Sequence, residues 1–581
     1  IIGLFTAVFS AIALVFIALG VARIVWLKIF YDEIPNLIAL DGALIFDYVI
    51  VGAGTAGTVL AAELSRKSNA TVLLIEAGHT FGVFSKVPLL ATLAQKTEND
   101  WAFISTPQKH SSGGLIDNRQ SLPRGKGLGG SSQLNYLLHY DGKKKDFENW
   151  KELGGEEWSY ENIRPYMPYE PPPEIVPKIW KIPINYSKIS EVFEEAGQEF
   201  EDHYHFRRTQ YNVKNGRRWS VYEEFLRPSF ELENLKILTN AIVSRIVFKE
   251  LTAKGVLFTF TKGRNVQTGK VRARKEVILA AGAYHTPQIL HLSGIGPQKM
   301  LKELGIPVIL DSPFVGENLH DHFNMPLFVT INETASLTVP KIINIAEIWK
   351  YLTTGEGHFG NFGVIGQIIP KNSSFGLGIF ATGAIDEGAL MALSNFKQET
   401  FRSLFPFHYN SSQEGMVLLS TCLQPKSRGT VRASSRNIRH LPEVNPNYLS
   451  DRNDIDCTIQ AIRAAVKIVS SQSFQGLSPK IHWPIFRECS EFGPFLSDFE
   501  DDQPSDLYLE CIIKTAALGS HHPGGSCSIG KVVYNDLRVK GLKRIRIVDA
   551  SLIPAPISGT PNSILIAIAK RAADIILYDK M

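Results

Sequence analysis

The sequence predicts an α/β protein with a Rossmann-like domain, assembled from separated stretches of the chain, and a second α+β domain. Three observations predict it. A β-branched run, Asp47-Tyr48-Val49-Ile50-Val51, leads straight into Gly52-Ala53-Gly54-Thr55-Ala56-Gly57, and an Ala- and Leu-rich helical stretch follows from Thr58 to Leu64. A second apolar run, Thr71 to Ile75, ends in Glu76. Much further along, Val277 to Gly282 and Ile545 to Asp549 again read as buried strands ending at a turn or an acid, so one domain draws on both ends of the sequence.

Length and composition set the frame. A chain of 581 residues exceeds one compact core and is expected to divide into two or three units. Hydrophobic and charged contents of 44% and 20% exclude a disordered chain and a multi-span membrane protein. The net charge of +4 is small for this length, and the run Lys143-Lys144-Lys145 is followed by Asp146 and Glu148. That run reads as a solvated face, so no nucleic-acid partner is expected.

Taken in order, residues Ile1 to Ala22 carry no charge, Arg23 and Lys28 follow, and Gly20-Val21-Ala22 offers small residues suited to a signal peptidase. The run is long for the apolar region of a signal peptide and long enough to span a bilayer. A cleaved signal peptide and a secreted protein are expected, with an uncleaved membrane anchor or a buried helix as alternatives. Membrane contact is expected only through this segment. Five Asn-x-Ser/Thr sequons, at Asn69, Asn185, Asn332, Asn372 and Asn410, agree with export.

The glycine turn at 52–57 has a mechanism. Gly52 makes the tight turn, Gly54 lets backbone approach a pyrophosphate, Gly57 lets helix and strand pack, and Glu76, 24 residues after Gly52, can accept from a ribose hydroxyl. A second glycine-dense loop, Pro123 to Ser132, can also bring backbone amides against a ligand, and Gln133 to Leu138 behind it has a helix-capable pattern.

From 151 to 211 the character changes, with Pro165, Pro168 and Pro171-Pro172-Pro173 suggesting a linker or lid. His203 and His205 would share a strand face there, but no third ligand lies near, and no metal is expected. Strands return at Ile237-Leu238, Ile242 to Phe248, Val256 to Phe260 and Val277 to Gly282. The mixed periodicity of Leu319 to Leu518 is read as mostly a second domain, and Asn562 to Tyr578 as a closing helix. The five cysteines, Cys422, Cys457, Cys489, Cys511 and Cys527, are too widely spaced for a disulfide scaffold; one bridge is possible, and the odd count leaves a thiol over. Gly519-Ser520-His521-His522-Pro523-Gly524-Gly525-Ser526-Cys527 could by itself be a metal site, a catalytic base or a plain turn.

These blocks together resemble the glucose-methanol-choline (GMC) oxidoreductases, and the flavour is similar to secreted insect members called glucose dehydrogenase-like. The similarity runs from about residue 44 to the end. It rests on Val-Gly-Ala-Gly-Thr-Ala-Gly at 51–57, Gly-Leu-Gly-Gly-Ser-Ser-Gln-Leu-Asn at 127–135, Gly-Ala-Tyr-His-Thr-Pro-Gln-Ile-Leu-His-Leu-Ser-Gly-Ile-Gly at 282–296, Val-Gly-Glu-Asn-Leu-His-Asp-His at 315–322 and Val-Asp-Ala-Ser at 548–551. The resemblance implies an FAD-binding domain at 44–150, 212–320 and 522–581, and a substrate-binding domain with an antiparallel sheet at 151–211 and 321–521. It implies FAD held by Gly52, Gly54, Thr55, Ala56, Gly57 and Glu76 at its adenosine end, and by Gly130, Ser131, Asn135, Val243, Asp549, Ala550 and Asn562.

His522 matches the family's His-Pro-x-Gly segment and is implied as the base that takes a substrate hydroxyl proton, with hydride passing to the flavin. His521 is then a loop neighbour, and Cys527 packing. The position the family fills with a second His or Asn is Thr560 here, the second candidate catalytic residue, and Asp141 stands where many relatives have Arg. Imidazole suits proton transfer near neutral pH, whereas a hydroxyl donates one hydrogen and carries no charge. The expected activity is oxidation of a CH–OH group of a sugar, sterol or similar small alcohol, with oxygen or a quinone accepting the electrons. Alternatives are a flavin-holding lyase that cleaves cyanohydrins and a catalytically degenerate member.

Overall fold

The computed structural model describes residues 34, 37–38, 44–167 and 187–578, apart from 263–264, 373, 384–386, 407–408 and 494–503. The segment 1–22, Pro171-Pro172-Pro173 and Asn185 lie outside the described residues.

Leu44–Val51 sits inside a seven-stranded sheet. The order across the sheet is Leu235–Leu238, Val72–Ile75, Leu44–Val51, Asn265–Leu279, Thr252–Lys262 and Ala241–Lys249, and Ile545–Ile547 pairs the end of Asn265–Leu279. The pairs among Leu235–Leu238, Val72–Ile75, Leu44–Val51, the end of Asn265–Leu279 and Ile545–Ile547 are parallel. Parallel strands covered on both faces must be apolar throughout, which is why Tyr48 to Val51 and Val72 to Ile75 are uninterrupted buried runs. The crossover from Val51 to Val72 is the helix Thr55–Lys67, and it packs on the closing helix Pro561–Tyr578. Arg546, fully buried, donates to both carboxylate oxygens of Glu276 at 2.8 and 3.2 Å and so ties the last strand to its neighbour.

The second sheet is antiparallel and also seven-stranded, in the order Lys480–His482, Phe323–Thr330, Gly415–Cys422, Phe375–Phe380, Val364–Pro370 and Tyr204–Arg208, with Leu518–Gly519 pairing Phe323–Thr330. It has its own core, in which Arg452–Val469 and Asp506–Ala516 cover the sheet. His203 and His205, at the edge strand Tyr204–Arg208, are exposed.

Three expectations are corrected. Residues 151–167 do not join the second domain: Trp158, Ile163 and Met167 lie in the core of the first, alongside Trp150. Gln133 to Leu138 forms no α-helix; only Gly130–Gln133 is a short 3-10 turn, and the positive φ of Leu137, 67°, ends any helical path. Where one bridge was expected as possible, two form, Cys422–Cys457 and Cys489–Cys511, because strand and helix packing brings together partners 35 and 22 residues apart. Cys527 is the free, buried thiol, which burial pushes up.

Candidate active site

The parallel strands deliver Gly52, Glu76 and Asp549 to one edge of the sheet, and a cleft opens there. It is lined by Gly52, Gly54, Thr55, Ala56, Glu76, Gly130, Ser131, Val243, Asp549 and Ala550. A Cβ placed on Gly57 would lie 2.0 Å from the carbonyl oxygen of Gly52, so this glycine is required by helix-to-strand packing. On Gly54 the same Cβ meets no protein atom within 4 Å, so a side chain there would project into open space. Gly130 closes in from the other side, with its backbone against Gly54.

The carboxylates at the strand ends are largely committed. Glu76 accepts from the amides of Ala53, Gly78 and Gly127 at 2.8, 2.9 and 2.9 Å and lines the cleft. Asp549 accepts from the amide and hydroxyl of Ser551 and from the Gly282 amide and Thr286 hydroxyl. It therefore clamps the strand end to the helix Gly282–Leu292, while Ala550 beside it faces the cleft. Burial raises both carboxyls, and the amide bonds work against that rise.

The cleft continues into a cavity of about 550 Å³ between the two sheets. Thr55, Ser131, Asn135, Ala550, Thr560 and Asn562 form one wall, and the helix Pro561–Tyr578 points its N-terminus at it. Asn562 accepts from the Thr55 hydroxyl at 3.1 Å, and the Asn135 carbonyl oxygen accepts from Arg218 at 2.6 Å. The opposite wall is largely apolar, with Leu337, Phe362, Val364, Phe380, Val417 and Leu419 supplied mainly by the antiparallel sheet and Asn324, Gln367 and Thr421 the polar side chains that sheet adds. An elongated, glycine-floored cleft running into a cavity flanked by a helix N-terminus and an amide side chain fits a flavin dinucleotide.

His522 lines this cavity, and sequence reasoning missed its partner. His322, on the neighbouring strand start, places Nδ1 2.9 Å from Nδ1 of His522 and Nε2 3.0 Å from the carbonyl oxygen of Leu423. A carbonyl only accepts, so Nε2 of a neutral His322 carries the hydrogen and its Nδ1 accepts from His522. Burial pushes His322 down to about 4 and keeps it neutral. His522 is left with an unprotonated Nε2. Burial, then His322, Arg124 and His521, hold His522 well below the ordinary histidine range.

The loop is fixed from below as well. The His522 amide donates to Asp321 at 2.5 Å, Asp321 accepts from the Tyr448 hydroxyl at 2.7 Å, and Arg124 donates to the His521 carbonyl at 2.7 Å. Burial raises Asp321 to about 6. The motif ending in Asp321-His322 was visible in the sequence; that both residues pair with the 519–527 loop was not, since they are 200 residues away. Thr560 lines the cavity too, but its hydroxyl accepts from the Tyr140 amide at 3.2 Å and is directed at the carbonyls of Leu138 and Tyr140 at 3.3 and 3.4 Å. Its single hydrogen faces backbone. Asp141 pairs with His139 at 3.2 Å and accepts from Ser563.

Comparison with known proteins fits this arrangement. The GMC oxidoreductase family model matches residues 46–324 and 425–569. The chain is 47% identical to the Drosophila melanogaster protein "Neither inactivation nor afterpotential protein G", over 95% of this chain and 94% of that protein. It is 31% identical to the Pseudomonas putida "Alcohol dehydrogenase [acceptor]", over 92% of this chain and 96% of that one. Among solved structures it resembles Aspergillus oryzae formate oxidase, with a TM-score of 0.78 at 23% identity, covering 93% of this chain and 99% of that one.

Proposed function

The chain belongs to the GMC oxidoreductase family, whose cofactor is FAD, and on that premise we propose that it oxidises the CH–OH group of an apolar alcohol with His522 as the base. The observation that carries this reading is the 2.9 Å contact between the Nδ1 atoms of His322 and His522, with Nε2 of His322 on Leu423. It fixes the tautomer of His522 whose Nε2 can take a hydroxyl proton. When bound, the flavin supplies the two-electron acceptor. Val243 and Glu76 would hold its adenosine end, the backbone at Gly52 to Gly54 and at Gly130-Ser131 its phosphates, and Asn135, Ala550 and Asn562 its ring.

The apolar wall selects the substrate class. Leu337, Phe362, Val364, Phe380, Val417 and Leu419 outnumber the polar Asn324, Gln367 and Thr421 on this wall, and an alcohol with a large hydrocarbon body gains about 25 cal/mol per Å² buried against them. Thr560 serves this site through the backbone of residues 138–140, which it holds in place. Two disulfides and the exposure of Asn69, Asn332, Asn372 and Asn410 support a secreted protein, checked by a glycosidase-sensitive mobility in a secretory host.

The test is anaerobic bleaching of the bound flavin by long-chain, terpenoid and polar alcohols. Reduction by the apolar members supports the reading; reduction by sugars or choline alone, or by none, overturns it.

A further inference from the structure

One helix presents its apolar stripe away from the protein. In Ile345–Thr354 the residues Ile345, Ile348, Trp349 and Leu352 fall at the i, i+3, i+4, i+7 spacing that ordinarily faces a core. Here they are 82%, 38%, 67% and 62% exposed, and Ile343 just before them is 69% exposed. The polar side of the helix faces inward instead. The Tyr351 hydroxyl donates to the Gly216 carbonyl at 3.0 Å, and Glu347 accepts from the His358 amide at 3.3 Å. Asn344 caps the first turn, accepting from the Ala346 amide at 2.8 Å. The outward stripe is therefore held by specific bonds.

Its place matters. The segment is bracketed by Leu337 and Phe362, which both line the cavity. The turn His358–Gly360 packs on this helix and on Pro88–Ala94, whose Leu89 and Thr92 line the cavity as well. The helix is thus one layer removed from the cavity lining, joined to it through the turn His358–Gly360.

We propose that Ile345–Thr354 is a lipid-docking face that lies flat in the headgroup region of a bilayer. Trp349 is the side chain suited to the boundary between headgroups and acyl chains, and it stands 67% exposed at the centre of the stripe. Residues 1–22 are an uncharged run of bilayer length, so the chain meets a membrane during export whether this run is cleaved or kept as the anchor the sequence also allows. Among the described residues no helix is long and apolar enough to cross a membrane, so the contact is with one leaflet. This inference goes beyond the proposed function, and its readout is independent of turnover.

The experiment places a polarity-sensitive nitrobenzoxadiazole label on Leu352→Cys in the flavin-loaded full chain; the four paired cysteines and buried Cys527 leave position 352 selectively reactive. The probe is a brominated phosphatidylcholine vesicle with about one-fifth phosphatidylserine. We expect a blue shift and about twofold or greater quenching by the brominated lipid, and loss of the quenching when Ile345→Glu and Trp349→Glu are added, with vesicle affinity falling about tenfold or more. A label that stays wet while the protein pellets with vesicles overturns the proposal, because residues 1–22 would then do the binding alone. A label shielded without vesicles overturns it too: in favour of a second copy if shielding grows with protein concentration, and in favour of residues 1–22 lying on the stripe if it does not.

Discussion

His322 acts on His522 through a single hydrogen. Because Leu423 claims the hydrogen on Nε2 of His322, the Nδ1 lone pair is fixed toward His522, and Nε2 of His522 is left without a hydrogen in turn. His322→Leu is expected to slow flavin reduction by about 10- to 100-fold with flavin retained, and His322→Asn to restore part of the loss, since an amide oxygen can accept from His522. Stopped-flow reduction of both variants checks this; equal losses in the two would remove the tautomer argument. Thr560→Val is expected to lower stability by about 1 to 3 kcal/mol, the cost of leaving the buried Tyr140 amide unpaired, while flavin reduction changes little. Retained thermal stability with a large loss of rate would return Thr560 to a catalytic role. The residues legible in the sequence were those whose neighbours in sequence explain them, such as Gly52, Gly57 and His522 before Pro523. Arg124, Asp321 and Tyr448 were not, because each reaches the site through contacts that the linear order hides.

At the scale of elements, the glycine turn divides binding from folding. Gly54→Phe is expected to give a folded but colourless protein, because its Cβ meets no protein atom within 4 Å and its ring would fill the cleft that Gly54 lines. Gly57→Val is expected to cost the fold itself, since its Cβ would sit 2.0 Å from the Gly52 carbonyl. Circular dichroism, thermal midpoint and flavin absorbance of the two proteins separate the outcomes. The parallel strands were readable because burial on both faces writes them as unbroken apolar runs. The antiparallel strands at Phe323–Thr330 and Gly415–Cys422 carry no such local mark, and the loop at 129–137 follows positive φ values of 90°, 52° and 67° at Gly129, Gly130 and Leu137, which helical patterning does not foresee. The second disulfide was missed for a related reason: Cys489 and Cys511 meet only once the chain between them has folded back.

Over the whole molecule, burial of neutral histidines sets the response to acid. His285, His320 and His521 are pushed down to about 3, and His291 and His322 to about 4, each chiefly by burial. The unfolded chain protonates these groups near their ordinary 6.5 and the folded chain does not, so their stabilisation is complete above that pH and is lost as the pH falls below it. Asp321, raised to about 6 from 3.8, acts in the opposite direction, as do Glu76, Asp146 and Asp549, which burial also raises, while His522, held low as well, adds to the five histidines. The thermal midpoint of the flavin-loaded protein should therefore drop steeply between about pH 6.5 and about pH 5; a flat or rising midpoint would mean that the histidines are charged in the fold. The same burial keeps His522 deprotonated where the two sheets meet around the cavity. Anaerobic reduction of the flavin by an apolar alcohol, followed in wild type and His522→Ala, tests that claim most directly. The account predicts full flavin content in both and a reduction rate about 10²- to 10⁴-fold lower in the variant; equal rates, or flavin lost along with His522, would contradict it.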